Sequence, residues 1–521
     1  MKFWYGYGRP TERTALKLVG RTAGMAVAAA LLTAGVSTLA SADELRVGHS
    51  SLPKGLGNPL MDTSHSAGFT FMTAYDFLVY TKEEGPTPGL ALEWENTSPT
   101  TWIMKLRPNV KFHDGKTFDS SDIAGLVNWM NTEEGIAKAV NTMRNMRNIS
   151  GARVIDPLTV EIQTKKPDPL VPSLIGVMKV VNFKHMEDVG FDGYGPNPIG
   201  TGPFRPVKWT GDRVDLVAFK EGWRPGKIDK LTIRNLPELA SRVAAFQSDQ
   251  VDVALGIVAD SRAAIESSDG RMAVSGAPQV LLLMAFQNKP GHPIHDLRVR
   301  LALNYAVNKE AYIKAIMGGL TVATGQPGAR SVNGYQDDIK PYPYDPDKAR
   351  ALLKEAGFAD GLDLVAEVVA NVSELRDVYQ QVAADVAKVG VNLEVREITL
   401  TDLIARVRDT SKFGEATLFS FNMGSEPTMD IMRSLNALHS CNAFTKWICF
   451  PDIEPTIAAA NQEFDPKKRS KLLREIAQYY HDNAPGIFLH EEVQVDGVKD
   501  RVKNYNSVNR VINWHEIEIK G

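Results

Sequence analysis

The sequence predicts a mixed α/β fold, and three observations lead there. Strand and helix signals interleave along the chain, and no short-period repeat or low-complexity block interrupts them. At 521 residues the chain exceeds what one hydrophobic core holds, so several domains are expected. Hydrophobic residues make up 43% and charged residues 23%, the balance of a globular protein rather than a disordered one.

The first segment reads as a secretory signal peptide, residues 1–42. Arg9, Arg13, Lys17 and Arg21 precede an apolar stretch from Ala23 to Val36, which leads into the small-residue cleavage site Ala40-Ser41-Ala42. The apolar run is Ala- and Gly-rich and short of the roughly 20 residues a membrane span needs. It contains no twin arginine, so the general secretory route is expected, with cleavage before Asp43. The leader holds five Lys/Arg against one Glu, so the chain that follows shifts from the formal −3 of the full sequence to −7. That balance excludes nucleic acid and anionic membrane surfaces as natural partners.

"ELRVG" (44–48) reads as a strand with Leu45 and Val47 inward. "TWIMKLRPNVKFHDGKTF" (101–118) alternates at Trp102, Met104 and Leu106, then at Val110 and Phe112. It predicts a β-hairpin, with Asn109 taking a positive φ in the turn. "HDLRVRLALNYAVNKEAYIKAIMGG" predicts one helix from Asp296 to Gly318-Gly319. "YDPDKARALLKEAG" has Asp345 as N-cap, Pro346 at the first helical position and Gly357 as the stop. "DPKKRSKLLREIAQYY" repeats the Asp-Pro start, with Leu472, Leu473, Ile476, Ala477 and Tyr480 on one face. The two cysteines, Cys441 and Cys449, lie in the exported part and read as a disulfide, or with His439 as a metal site.

Catalytic signatures are absent: no Gly-x-Ser-x-Gly, no His-Glu-x-x-His, no phosphate loop and no Gly-x-Gly-x-x-Gly after a strand. "GYGPNPIGTGP" (193–203) is glycine-rich but has the wrong spacing for a nucleotide. His490-Glu491-Glu492 reads as a solvated strand end, because consecutive strand residues point to opposite faces. A carboxylate pair distant in sequence remains open as a hydrolytic site.

Four blocks resemble the family 5 extracellular solute-binding proteins, the oligopeptide-, dipeptide- and nickel-type receptors of ABC importers. They are "LRPNVKFHDGKTFDSSDI" (106–123), "GTGPFRPVKW" (200–209), "HDLRVRLALNYAVNKEAYIKAIMGGLTVATGQP" (295–327) and "YDPDKARALLKEAGF" (344–358). Two departures are structural: Asn109 stands at a usual glycine, and Asp249 occupies a loop that usually carries one. The resemblance implies a two-lobed periplasmic binding protein of the cluster C type. Lobe I would span 43–285, with an extra subdomain at 78–198, and be completed by 492–521; lobe II would span 286–491. The hinge crossings would fall near 285–290 and 488–493. The implied role is capture of a small ligand between the lobes and delivery to inner-membrane permease subunits, by a periplasmic monomer without cofactor, metal or catalytic residues.

Peptide-binding members carry an aspartate for the ligand's ammonium group in the segment matching "TLFSFNMGSEPTMDIM" (417–432). Aligning their Asp-Pro on Glu426-Pro427 puts Met423 at that position, and an unpaired buried ammonium costs several kcal/mol. The expected alternative is a backbone nest at Asn422, Met423, Gly424 and Ser425 holding an oxyanion, although a plain polar turn fits as well. This combination is similar to the agrocinopine receptors, which take up sugar phosphodiesters. Phe421, Trp447, Asn288 and His439 are then the candidate sugar contacts, each with core packing as its ordinary alternative. The rivals are a peptide receptor, a metal-chelate or haem receptor using His439, His490 or Glu491, and a secreted hydrolase.

Overall fold

The computed structural model describes residues 43–520 apart from 83–84, 177, 286–290, 371–372 and 444–448. The leader, Asn288, Trp447 and most of the first expected hinge crossing lie outside the described residues.

A ten-stranded mixed sheet forms the framework. Its centre is two long antiparallel strands, Gly270–Ala285 and Gly486–Lys499, paired through two register shifts. On one side follow Leu418–Gly424, Leu362–Val368 and Val391–Glu397; on the other, Val253–Ala254, Glu44–His49, Lys230–Asn235, Arg213–Ala218 and Phe204–Trp209. A separate four-stranded sheet joins Ala91–Ser98, Thr101–Leu106, Thr159–Thr164 and Ile149–Asp156.

The central run "QVLLLMA" (279–285) is buried along its whole length, as a strand covered on both faces must be. Its side chains alternate between two cores. Val280, Leu282 and Met284 enter one cluster, and Leu281, Leu283 and Ala285 enter another. The neighbouring strand obeys the same period: Phe419 and Met423 join the first cluster and Leu418 the second. A third cluster draws on Leu45 to Leu255 and on Val498 to Ile517. Each fully buried Leu, Val or Phe in these clusters contributes about 1.5–3 kcal/mol.

Both Asp-Pro helices form as the sequence indicates. Asp345 caps Pro346–Glu355 by accepting from Lys348 N at 2.9 Å, and Gly357 follows with φ +91°. Asp465 caps Pro466–Asn483. Asn109 takes φ +59° and Asp249 φ +55°.

Three expectations are corrected. The stretch 101–118 is not one hairpin. Thr101–Leu106 pairs with Ala91–Ser98 and Thr159–Thr164, while Val110 and Phe112 belong to a separate tight turn closed by the Lys111–Thr117 bridge. The helix from Asp296 is two helices, Leu297–Ala306 and Lys309–Ala315. Between them Val307 is extended, Asn308 caps the second helix, and the buried Lys309 ammonium donates to Asn304 O at 2.8 Å. His490 and Glu491 are no solvated strand end: they sit within Gly486–Lys499, 1% and 7% exposed.

Candidate ligand-binding site

A cavity of about 360 Å³ is lined from five stretches of chain: 63–81, 141–179, Gln279, 422–438 and 509–511. The strand Leu418–Gly424 supplies one wall, and its alternation decides which residues reach it. Asn422 and Gly424 line the cavity, whereas Met423 is fully buried in the core on the opposite face.

Backbone pairing removes the expected oxyanion nest. Residues 418–424 run antiparallel to 279–285, with Gly424 opposite Gln279 and Asn422 opposite Leu281. Ser425 N continues by donating to Pro278 O at 3.0 Å, and its residue is 1% exposed. A nest needs consecutive N–H groups turned to one side, and a ladder turns them alternately. Phe421 packs against Phe419 and His439, each at 5.9 Å between ring centres. His439 is fully buried, and burial lowers its pKa to about 3, so it is a neutral core histidine. The Cys441–Cys449 disulfide forms, which removes both thiolates from the alternative metal site.

Of the candidate contacts read from the sequence, Asn422 and Gly424 line the cavity, and the other polar groups that reach it were not among the candidates. His65 opens the helix His65–Ala74 behind its Ser64 N-cap, lines the cavity, and has a side chain 44% exposed. Its Nε2 lies 2.7 Å from Glu426 Oε2 and 2.8 Å from Gln279 Nε2. Asn422 Nδ2 donates to Glu492 Oε1 at 2.6 Å, and Arg510 Nη2 to Glu492 Oε2 at 2.8 Å. Arg510 stands in a two-residue turn between Ser507–Val508 and Val511–Ile512. Asn509 and Arg510 have φ +50° and +62°, the pair of positive angles a type I′ hairpin turn uses.

Lys179 is the unusual group. It is 6% exposed, and its ammonium lies over Phe71 and Phe77 at 5.8 and 5.6 Å. Among the described residues none accepts a hydrogen bond from it. Burial lowers its pKa to about 8, opposed only by Asp62. Across the cavity Arg433 donates to Asn145 Oδ1 at 3.1 Å. The lining thus sets Lys179, Arg433 and Arg510 against one carboxyl group, Glu426.

The family model of the bacterial extracellular solute-binding proteins, family 5, matches residues 85–446. The chain belongs to that family. A glutathione-binding protein of Pectobacterium atrosepticum is 27% identical over 407 residues, covering 75% of this chain and 77% of that one. The dipeptide-binding protein of Escherichia coli strain K12 is 29% identical over 462 residues, covering 80% and 83%. In fold, the substrate-binding protein CtaP from Listeria monocytogenes superposes with a TM-score of 0.82 at 19% identity, over 92% of this chain and 100% of that one. The binding protein AgaA, in complex with agropinic acid, from A. tumefaciens R10 gives 0.72 at 19%, over 92% and 99%. This family 5 protein is therefore a solute-binding receptor of the kind that serves ABC importers, and its relatives are binding proteins rather than enzymes.

Proposed function

We propose that this receptor captures a small anionic solute, of the sugar phosphate or phosphodiester class, and delivers it to the permease of an ABC importer after export to the periplasm. The observation that carries the ligand class is Lys179: a buried lysine that lines the cavity and whose ammonium has no acceptor among the described residues. An ionised group buried without a partner is costly, and a ligand oxyanion supplies the missing acceptor. Arg433 across the cavity adds charge of the same sign. About 360 Å³ matches a compact molecule. Phe77 and Tyr80 offer ring surface for a sugar in place of Phe421 and His439.

Capture would work by closure of two lobes, about 43–285 with 492–521 and 286–491, around the ligand. Closure would draw only on the difference in ligand affinity between the closed and open forms.

A peptide is the second reading, favoured by Glu426 in the lining and by the dipeptide- and glutathione-binding relatives. Calorimetry separates the two. Sugar phosphates and phosphodiesters should bind stoichiometrically while neutral di- and tripeptides do not; tight binding of the peptides alone overturns the anionic reading.

A further inference from the structure

Asn422, Gln279 and Glu492 come to one side of the sheet from three neighbouring strands. Gly424 stands opposite Gln279 and Val280 opposite Glu491, and Glu492 falls where the register slips between Gly276 and Val280. Such a slip re-aims the side chains beside it. Both oxygens of Glu492 are engaged: Oε1 accepts from Asn422 Nδ2 at 2.6 Å, and Oε2 from Arg510 Nη2 at 2.8 Å.

The first of these contacts decides which way the Asn422 amide faces. A carboxylate only accepts hydrogen bonds, and the guanidinium on its other oxygen is always charged. Turned over, the amide would set its own oxygen 2.6 Å from Oε1 with no proton between them. Gln279 Oε1, 3.4 Å from Asn422 Nδ2, is a second acceptor on the same side, since Gln279 Nε2 donates to Glu426 Oε2 at 3.2 Å. The amide nitrogen is thus engaged in the wall, and what Asn422 has left is the acceptor Oδ1. Among the described residues none donates to that oxygen, and it is not sealed in the core. It opens to the cavity that Asn422 lines.

An open acceptor selects ligand donors. The cations of the lining, Lys179, Arg433 and Arg510, disfavour an ammonium, and a hydroxyl is the donor that a sugar phosphate or phosphodiester carries. We propose that Glu492 is a positioning residue for ligand selection: it fixes Asn422 with the amide oxygen toward the cavity, where that oxygen accepts from a ligand hydroxyl. The receptor then distinguishes a hydroxylated anion from an equally charged one without hydroxyls. The inference rests on the anionic reading and adds the group that reads the ligand's uncharged part.

The test is calorimetry at about pH 7 with two phosphodiesters of the same charge. One is bis(glyceryl) phosphate; the other is bis(2-methylbutyl) phosphate, in which a methyl replaces each hydroxyl. The quantity read is the ratio of their Kd values, so losses common to both probes cancel. Asn422→Ala should reduce the preference for the glyceryl diester roughly 2- to 12-fold, the range of one neutral hydrogen bond. Glu492→Gln should reduce it similarly, because the new amide, with its oxygen kept on Arg510, offers its nitrogen to Asn422 Oδ1 and occupies it. A double variant carrying Glu492→Gln and Asn422→Asp exchanges donor and acceptor. An oxygen at position 422 again faces the cavity, and the preference should return, with melting curves showing each variant folded. A ratio that either single variant leaves unchanged overturns the inference. So does a preference that Glu492→Gln reduces and the double variant does not restore, which marks a merely structural carboxylate. In each of these cases a diester still binds, and the anionic reading stands. If the wild type binds neither diester, the anionic reading falls and this inference with it.

Discussion

Replacing Lys179 with methionine should raise the stability of the empty receptor and weaken its ligand together. Lys179 is 6% exposed as a residue, its ammonium has no acceptor among the described residues, and burial moves its pKa from 10.5 to about 8. Holding it charged below pH 8 therefore costs about 3 kcal/mol, at about 1.36 kcal/mol for each tenfold loss of proton affinity between 10.5 and about 8. The unfolded chain binds the proton more tightly between pH 8 and 10.5, so wild-type stability contains a term that rises with pH across that window. Methionine keeps the straight stem over Phe71 and Phe77 and removes both the penalty and the slope. Against an anionic ligand, the same change deletes one charge-assisted hydrogen bond, about 1.5–3 kcal/mol or roughly 10- to 150-fold in Kd. Denaturant unfolding at about pH 7 and pH 9.5, with calorimetry at pH 7, reads both effects. A variant less stable than wild type, or one that binds the anion undiminished, would refute the reasoning.

Three further outcomes follow from buried groups. Asp430→Ala should destabilise the protein by about 3–5 kcal/mol, because Arg469, 8% exposed in its side chain, loses the carboxylate it shares with Asn333 and Met432 N. Equilibrium unfolding checks this, and a change below about 1 kcal/mol contradicts it. Met423→Asp should lower stability by several kcal/mol in the absence of any ligand, since Met423 is fully buried in a core cluster; a normally folded variant would put Met423 at the cavity instead. Reducing the Cys441–Cys449 bridge should expose two thiols and cost about 1–3 kcal/mol, the smaller gain of a short loop.

The family and the α/β class were legible because they rest on local patterns: Asp-Pro helix starts, the short strand 44–48 and four ordered sequence blocks. At 422–425 the polar residues suggest a nest or a turn, whereas the strand runs on to Gly424. Period-2 alternation extends one residue past the apolar part, so Asn422 and Gly424 reach the cavity while Met423 and Phe421 turn to the core. That alternation was the available signal. His65, Lys179, Gln279 and Arg510 were not legible, because long-range strand pairing and an isolated bridge at Lys179 bring them together from positions hundreds of residues apart. The break at Val307-Asn308 was equally hidden: it depends on Asp385, 77 residues away, accepting from Asn308 N.

The measurement closest to the central claim is native mass spectrometry of the receptor purified from its own host, alongside Lys179→Met prepared identically. The account predicts a one-to-one noncovalent adduct of a small anionic solute, released chemically unchanged, on the wild type and absent or strongly depleted on the variant. A family of neutral peptide masses carried equally by both proteins, or a ligand recovered as cleavage products, would contradict it.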